Sequence, residues 1–77
     1  RKAECHFSNG TQRVRYLERF FFGRQELLYF DSDRGKVVAV AEMMESDAER
    51  ANQDKDVLRG EMAQVDVCRH NYGVLGP

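Results

Sequence analysis

The run Arg13-Val14-Arg15-Tyr16-Leu17-Glu18-Arg19-Phe20-Phe21-Phe22 restricts the fold more than any other part of this chain. Successive side chains of a strand point to opposite faces. Val14, Tyr16, Glu18, Phe20 and Phe22 therefore share one face, and Arg13, Arg15, Leu17, Arg19 and Phe21 the other. Ser8-Asn9-Gly10 ahead of the run is a turn signal, so His6-Phe7 closes an earlier strand paired in a hairpin. Gly23-Arg24-Gln25 makes the next turn, Leu27–Phe30 a third strand, Asp31–Gly35 a third turn and Val37–Val40 a fourth strand. Four strands in about 2–42 joined by short loops predict an antiparallel meander.

The second half changes period. Ser46 or Asp47 is a candidate N-cap, and Glu49 is placed to complement the helix dipole. A helix is predicted over about 46–72, with Leu58, Met62, Val65 and Cys68 on the face lying on the sheet. Val57, Glu61 and Gln64 make a neighbouring, mixed stripe. Gly60 costs roughly 1 kcal/mol inside a helix, so a bend is expected there, and Gly73 reads as the stop. The fold class is α+β: a four-stranded antiparallel sheet with one long kinked helix across one face. One such helix leaves sheet edges open, which calls for a partner.

A chain of 77 residues is one small domain, 1–77, of a size that often needs a staple or a second subunit. With 12 basic and 13 acidic residues it carries no electrostatic footprint for nucleic acid or an anionic membrane. Cys5 and Cys68 lie too far apart for a zinc or redox motif. They read either as two unrelated buried thiols of a cytosolic protein or as one long-loop disulfide. Asn9-Gly10-Thr11, an acceptor triplet for N-glycosylation, favours the oxidising compartment.

The segment Val67-Cys68-Arg69-His70-Asn71-Tyr72-Gly73 concentrates the polar chemistry. On a helix Cys68 and His70 point about 200° apart and cannot act as nucleophile and base. Nothing in the spacing of His6 and His70 supports a metal site, and no cofactor is implied. Recognition fits better. An asparagine amide can pair with both the C=O and the N–H of an extended backbone, and His70 adds a donor nearby. The alternative is that His70 and Asn71 merely cap the helix end.

The segments "ECHFSNGTQRVRYLERFFF", "FDSDRGKVVAV", "SDAERANQDKDVL" and "VDVCRHNYG" resemble successive parts of the membrane-distal domain of an MHC class II β chain, of the DR type or its mouse counterpart. The resemblance runs from about Lys2 to Gly73. It implies half of a groove, completed by a class II α chain, in which antigenic peptide is held and shown to T-cell receptors. It also implies that an immunoglobulin-like domain and a transmembrane segment, absent from this sequence, follow in the family. The expected location is the lumenal or extracellular side of cell-surface and endosomal membranes. A non-presenting relative that acts as an interaction or chaperone module is the alternative function.

By the same resemblance Cys5 and Cys68 are bonded and Asn9 carries a glycan. Asn71 and His70 bind the peptide backbone, and Asp47 pairs with an α-chain arginine. Tyr16, Glu18 and Phe20, with Ala3, Leu27 and Val37, line the floor. Val57, Glu61, Gln64 and Val67 stand over it, and Leu75 limits one end. Glu18 and Glu61 both approach the centre with no basic pocket residue expected to offset them, which predicts a preference for Lys or Arg side chains; the alternative is that Glu18 pairs with Arg19, Arg24 or an α-chain residue and Glu61 faces solvent.

Three departures from the family pattern carry consequences. Ala51, preceded by Arg50, stands where the family has a tryptophan that donates to peptide, so one bond and a contact surface are expected to be missing. Gly60 replaces a long polar side chain. The run before Cys68 is one residue short, which rotates later residues by about 100° unless a kink absorbs it.

Overall fold

The computed structural model describes residues 1–76, so the expected domain end at Pro77 lies outside the described residues. Four strands, β1 (Lys2–Ser8), β2 (Arg13–Phe22), β3 (Gln25–Asp31) and β4 (Lys36–Ala39), form one antiparallel sheet in the order of the chain. A 3₁₀ turn, Glu42–Met44, then leads into α1 (Glu45–Gln53), α2 (Lys55–Met62) and α3 (Gln64–Leu75). The fold class is as the sequence predicts, with the single kinked helix resolved into three segments. The first hairpin turns through Asn9 and Gly10, both at positive φ (55° and 67°), a conformation these two residue types reach at least strain.

The alternation of β2 decides where the core sits. Val14, Tyr16 and Glu18 turn toward the helices, and Phe30 and Val37 join them from β3 and β4. Ala48 and Cys68 close this core from above, with Leu28, Ala39, Ala51, Leu58 and Val65 packed around it. Phe22 shares the phase but is exposed: the register shifts between Phe20 and Phe21, and the chain turns at Gly23 beyond the reach of the helices.

The opposite face is a ladder of ion pairs. Arg15 donates to both carboxylate oxygens of Asp31 at 3.1 and 2.7 Å, and Arg19 bridges Glu4 at 2.8 Å and Glu26 at 3.1 Å. Leu17 lies among them only 4% exposed, opposite Asp31 and Glu4 in the register, where arginine stems provide apolar cover.

Four details of the helix differ from the sequence expectation. The expected N-cap, Ser46 or Asp47, falls inside the first turn of α1. The preceding 3₁₀ turn already delivers the Met44 N–H to the Ala41 carbonyl and the Glu45 N–H to that of Glu42, so no side-chain cap is required. Gly60 lies inside α2 and is not the bend. The breaks fall at Asp54, whose backbone is extended, and at Ala63. Met62 stands 41% exposed beside the second break, which puts α2 and α3 out of phase, while Leu58, Val65 and Cys68 do face the core. Gly73 continues α3, and Gly76 (φ 85°) ends it, its N–H reaching the Tyr72 carbonyl at 2.9 Å.

Asp54 is both a stop and a start. Its N–H closes on the Ala51 carbonyl, and its side chain accepts from the Asp56 and Val57 amides at 3.1 and 3.2 Å. Substitution of Asp54 by alanine is expected to remove about 1 kcal/mol of stability, the usual contribution of an N-cap. Denaturant unfolding checks this, and Asp54→Asn, which keeps the acceptor, should lose much less.

Candidate functional site

The helix-facing side of the sheet and the segments above it bring the predicted floor residues together. Ala3 lies opposite Glu18, Cys5 opposite Tyr16, and Phe20 opposite Leu28. Val37 pairs with Phe30 on the same face. Leu27, half-buried, is the residue left without a partner on β2 at the irregularity, its carbonyl accepting instead from the Val40 and Ala41 N–H groups at 2.9 and 3.0 Å, while Leu28 packs on the core.

Above this floor, Glu61 and Gln64 are half-buried, whereas Val57 and Val67 are exposed. Ala51 is a methyl packed on the core. Asp47, its carboxylate 3.8 Å from Arg50, faces solvent on α1. At the far end His70 and Asn71 are exposed and Leu75 is 81% exposed. Asn71 and Leu75 border an apolar hollow of about 210 Å³ with Cys5, Phe7, Cys68 and Tyr72.

Cys5 and Cys68 are bonded to each other, with Cα atoms 5.8 Å apart, so neither thiol is free for chemistry. The bridge joins β1 to α3 beneath Asn71, and the Phe7 and Tyr72 rings pack alongside it at 4.8 Å between centroids. Segment α2 ends at Ala63, and the following turn of α3 brings Cys68 over Cys5.

The centre of the site holds two carboxyls. Glu18 is 1% exposed and paired with Arg1, which corrects the expectation that no basic residue offsets the acids. Arg19, on the opposite face, takes no part. Burial pushes the Glu61 carboxyl up to about 7, and the neighbouring Glu18 pushes in the same direction. For Glu18 burial works against the charge, but hydrogen bonds from protonated Glu61 and from Arg1 outweigh it and hold its pKa below the usual carboxylate range. The two acids share one proton. When Glu61 is ionised its buried Oε2 has no donor in reach, and when protonated it donates to Glu18.

Sequence reasoning missed Arg1, Tyr72 and Asn52. Arg1 lies two residues before Ala3, so strand parity alone would have placed it on the helix side. Asn52 was legible as the one polar residue in the stripe Ala48, Ala51, Asn52 that faces the sheet.

The described residues thus form a four-stranded antiparallel sheet with a segmented helix along one face, tied by a disulfide at one end. The sequence family described as "Class II histocompatibility antigen, beta domain" matches residues 1–76. The chain is 53% identical over 75 residues to the human HLA class II histocompatibility antigen DRB1 beta chain, and 55% identical over 75 residues to the human DR beta 3 chain. It is 52% identical over 73 residues to the mouse H-2 class II histocompatibility antigen E-D beta chain. These alignments cover 94–96% of this chain and 28% of each relative. The chain belongs to the class II histocompatibility antigen β-chain family.

Proposed function

We propose that the chain forms the membrane-distal half of a peptide-binding groove, completed by a class II α chain, that presents antigenic peptide to T-cell receptors. The observation that carries this is the exposed Asn71 amide beside the hollow of Phe7, Tyr72 and Leu75, a polar donor and acceptor over an apolar recess. His70 adds a second donor, and Asp47 at the other end faces outward to meet an α-chain cation. Tyr16, Glu18, Phe20, Ala3, Leu27 and Val37 form the floor, with Val57, Glu61, Gln64 and Val67 along the rim. Asn9, exposed at the tip of the first hairpin, takes the glycan. The remainder of the parent chain anchors the domain on the lumenal or extracellular side of the membrane.

Peptide capture by the domain assembled with a class II α chain tests the reading. Asn71→Ala is expected to weaken capture by about 1 kcal/mol or more, the loss of a buried amide pair. A disulfide-bonded heterodimer that captures nothing from a diverse peptide pool would favour a non-presenting relative instead. Ala51 supports that second reading, because its methyl offers a peptide backbone no hydrogen bond.

A further inference from the structure

Each helical segment reaches the sheet through a different kind of link. Segment α3 is held covalently, Cys68 to Cys5 on β1. Segment α2 packs Leu58 on the core and places Glu61 against Glu18 of β2. Segment α1 contributes to the core only the small side chains Ala48 and Ala51 among the described residues, and buries correspondingly little apolar surface. What α1 does have is Asn52. Its side-chain oxygen accepts from the Val37 N–H at 2.7 Å, and its amide nitrogen donates to the Val37 carbonyl at 2.9 Å. One side chain thus satisfies both outward backbone groups of a residue in β4, as a neighbouring strand would.

The joint beyond Asn52 separates α1 from the rest of the helix. Asp54 is extended there, so the helical hydrogen-bond ladder does not run on into α2. Asp47 and Ala51, the groove residues of α1, therefore depend on how α1 itself is tied down. We infer that Asn52 is the positioning residue of this end of the groove: its two-bond clasp on Val37 sets the height and tilt of α1 over β4, and so the hold on the part of a peptide that lies beside α1. This inference rests on the groove reading for its consequence, but not for the clasp itself.

The test uses the complete β chain assembled with a class II α chain, comparing wild type, Asn52→Leu and Asn52→Asp. Leucine keeps the size and removes both bonds, whereas aspartate keeps the acceptor and removes the donor. In the peptide-free heterodimer, Asn52→Leu is expected to speed amide exchange at Val37 and through α1 by about tenfold, the factor for losing a bond or two of ordinary strength. Exchange in α3 should stay unchanged, and Asn52→Asp should fall between. A bound peptide spanning the whole groove should dissociate about tenfold faster from Asn52→Leu, while one truncated to leave the α1 end empty should dissociate at the wild-type rate.

Unchanged exchange in α1, or equal acceleration in all three segments, would overturn the positioning role. Faster exchange confined to α1 with no change in dissociation of the spanning peptide would also overturn it, because the clasp would then be structural alone. Wild-type heterodimer that holds no peptide would overturn the proposed function instead, and the exchange comparison would still decide whether Asn52 positions α1.

Discussion

Removing the Cys5–Cys68 bridge with paired alanine substitutions is expected to lower stability by roughly 4 kcal/mol, the chain-entropy value for a loop of this length. The bridge closes 63 positions of sequence, nearly the whole fold, so the unfolded chain gains a large freedom when it is cut. Domains of this size have only about 4–11 kcal/mol in hand at the usual stability per residue. The bridgeless chain should therefore unfold at much lower denaturant. The loss has a direction as well as a size. Segment α3 keeps the Phe7–Tyr72 ring contact and the packing of Val65, but loses the buried sulfur at its centre. It is the segment expected to fray first, whereas α1 and the β2–β3 hairpin should be affected least. Guanidinium unfolding and residue-level amide exchange measure both parts. A loss below about 1 kcal/mol would mean that the unfolded chain is already compact enough to hold Cys5 near Cys68.

The second large effect is a stability that falls as pH rises toward neutrality. Glu61 titrates near 7 in the folded chain against an ordinary 4.5, so between those values the folded state holds a proton that the unfolded state has released. Its contribution is complete below 4.5 and is lost as pH climbs through 7. Discounted for the part of Glu61 that solvent reaches, the loss is on the order of 2 kcal/mol. Other carboxyls act with the opposite sign. Asp31 is held low by its hydrogen bonds from Arg15, Glu4 by those from His6 and Arg19, and Glu18 by Glu61 and Arg1 against the cost of burial. Their contributions are present above the ordinary carboxylate values and disappear as pH drops. Stability should therefore peak on the acid side of neutrality, around pH 5. Glu61→Gln replaces the shared proton with a permanent amide donor to Glu18 and should flatten the limb between 4.5 and 7 while leaving the acid limb in place. Thermal unfolding from roughly pH 4 to pH 8, a range that brackets the ordinary and the raised Glu61 values, distinguishes the two. Parallel profiles for wild type and variant would remove the shared proton from the account.

The sheet was legible because period two is short and local. The apolar phase of β2 and the turn residues after each strand fixed its order and the face that carries Val14 and Tyr16. The helix breaks were not legible in the same way. Propensity pointed at Gly60, but a glycine inside a helix costs only about 1 kcal/mol, and α2 tolerates it. The breaks came from two other sources: Asp54, whose side chain competes for backbone amides, and Ala63, where the segment leading to Cys68 must re-aim to reach Cys5. Long-range demands of that kind leave no mark in a local window. Arg1 and Asn52 differ from the breaks: strand parity and the helix stripe give each its facing side, and what the sequence leaves unwritten is the partner, Glu18 a strand away and the Val37 backbone. Tyr16 and Glu18 share with Val14 the face that parity gave them; the floor roles of these two and of Val37, like the roles proposed for Asn71 and His70, came from resemblance, not from periodicity.

The clasp of Asn52 on Val37 also bears on where this sheet can accept a neighbour. A strand open at both margins can be extended in both directions, and units with two such margins link into ribbons. Here the outer margin of β4 is occupied at Val37 by a side chain of its own molecule, while β1 carries no such clasp among the described residues. At that point the two margins differ: a strand approaching β4 meets a residue whose backbone pair is already taken, whereas one approaching β1 meets no such block among the described residues.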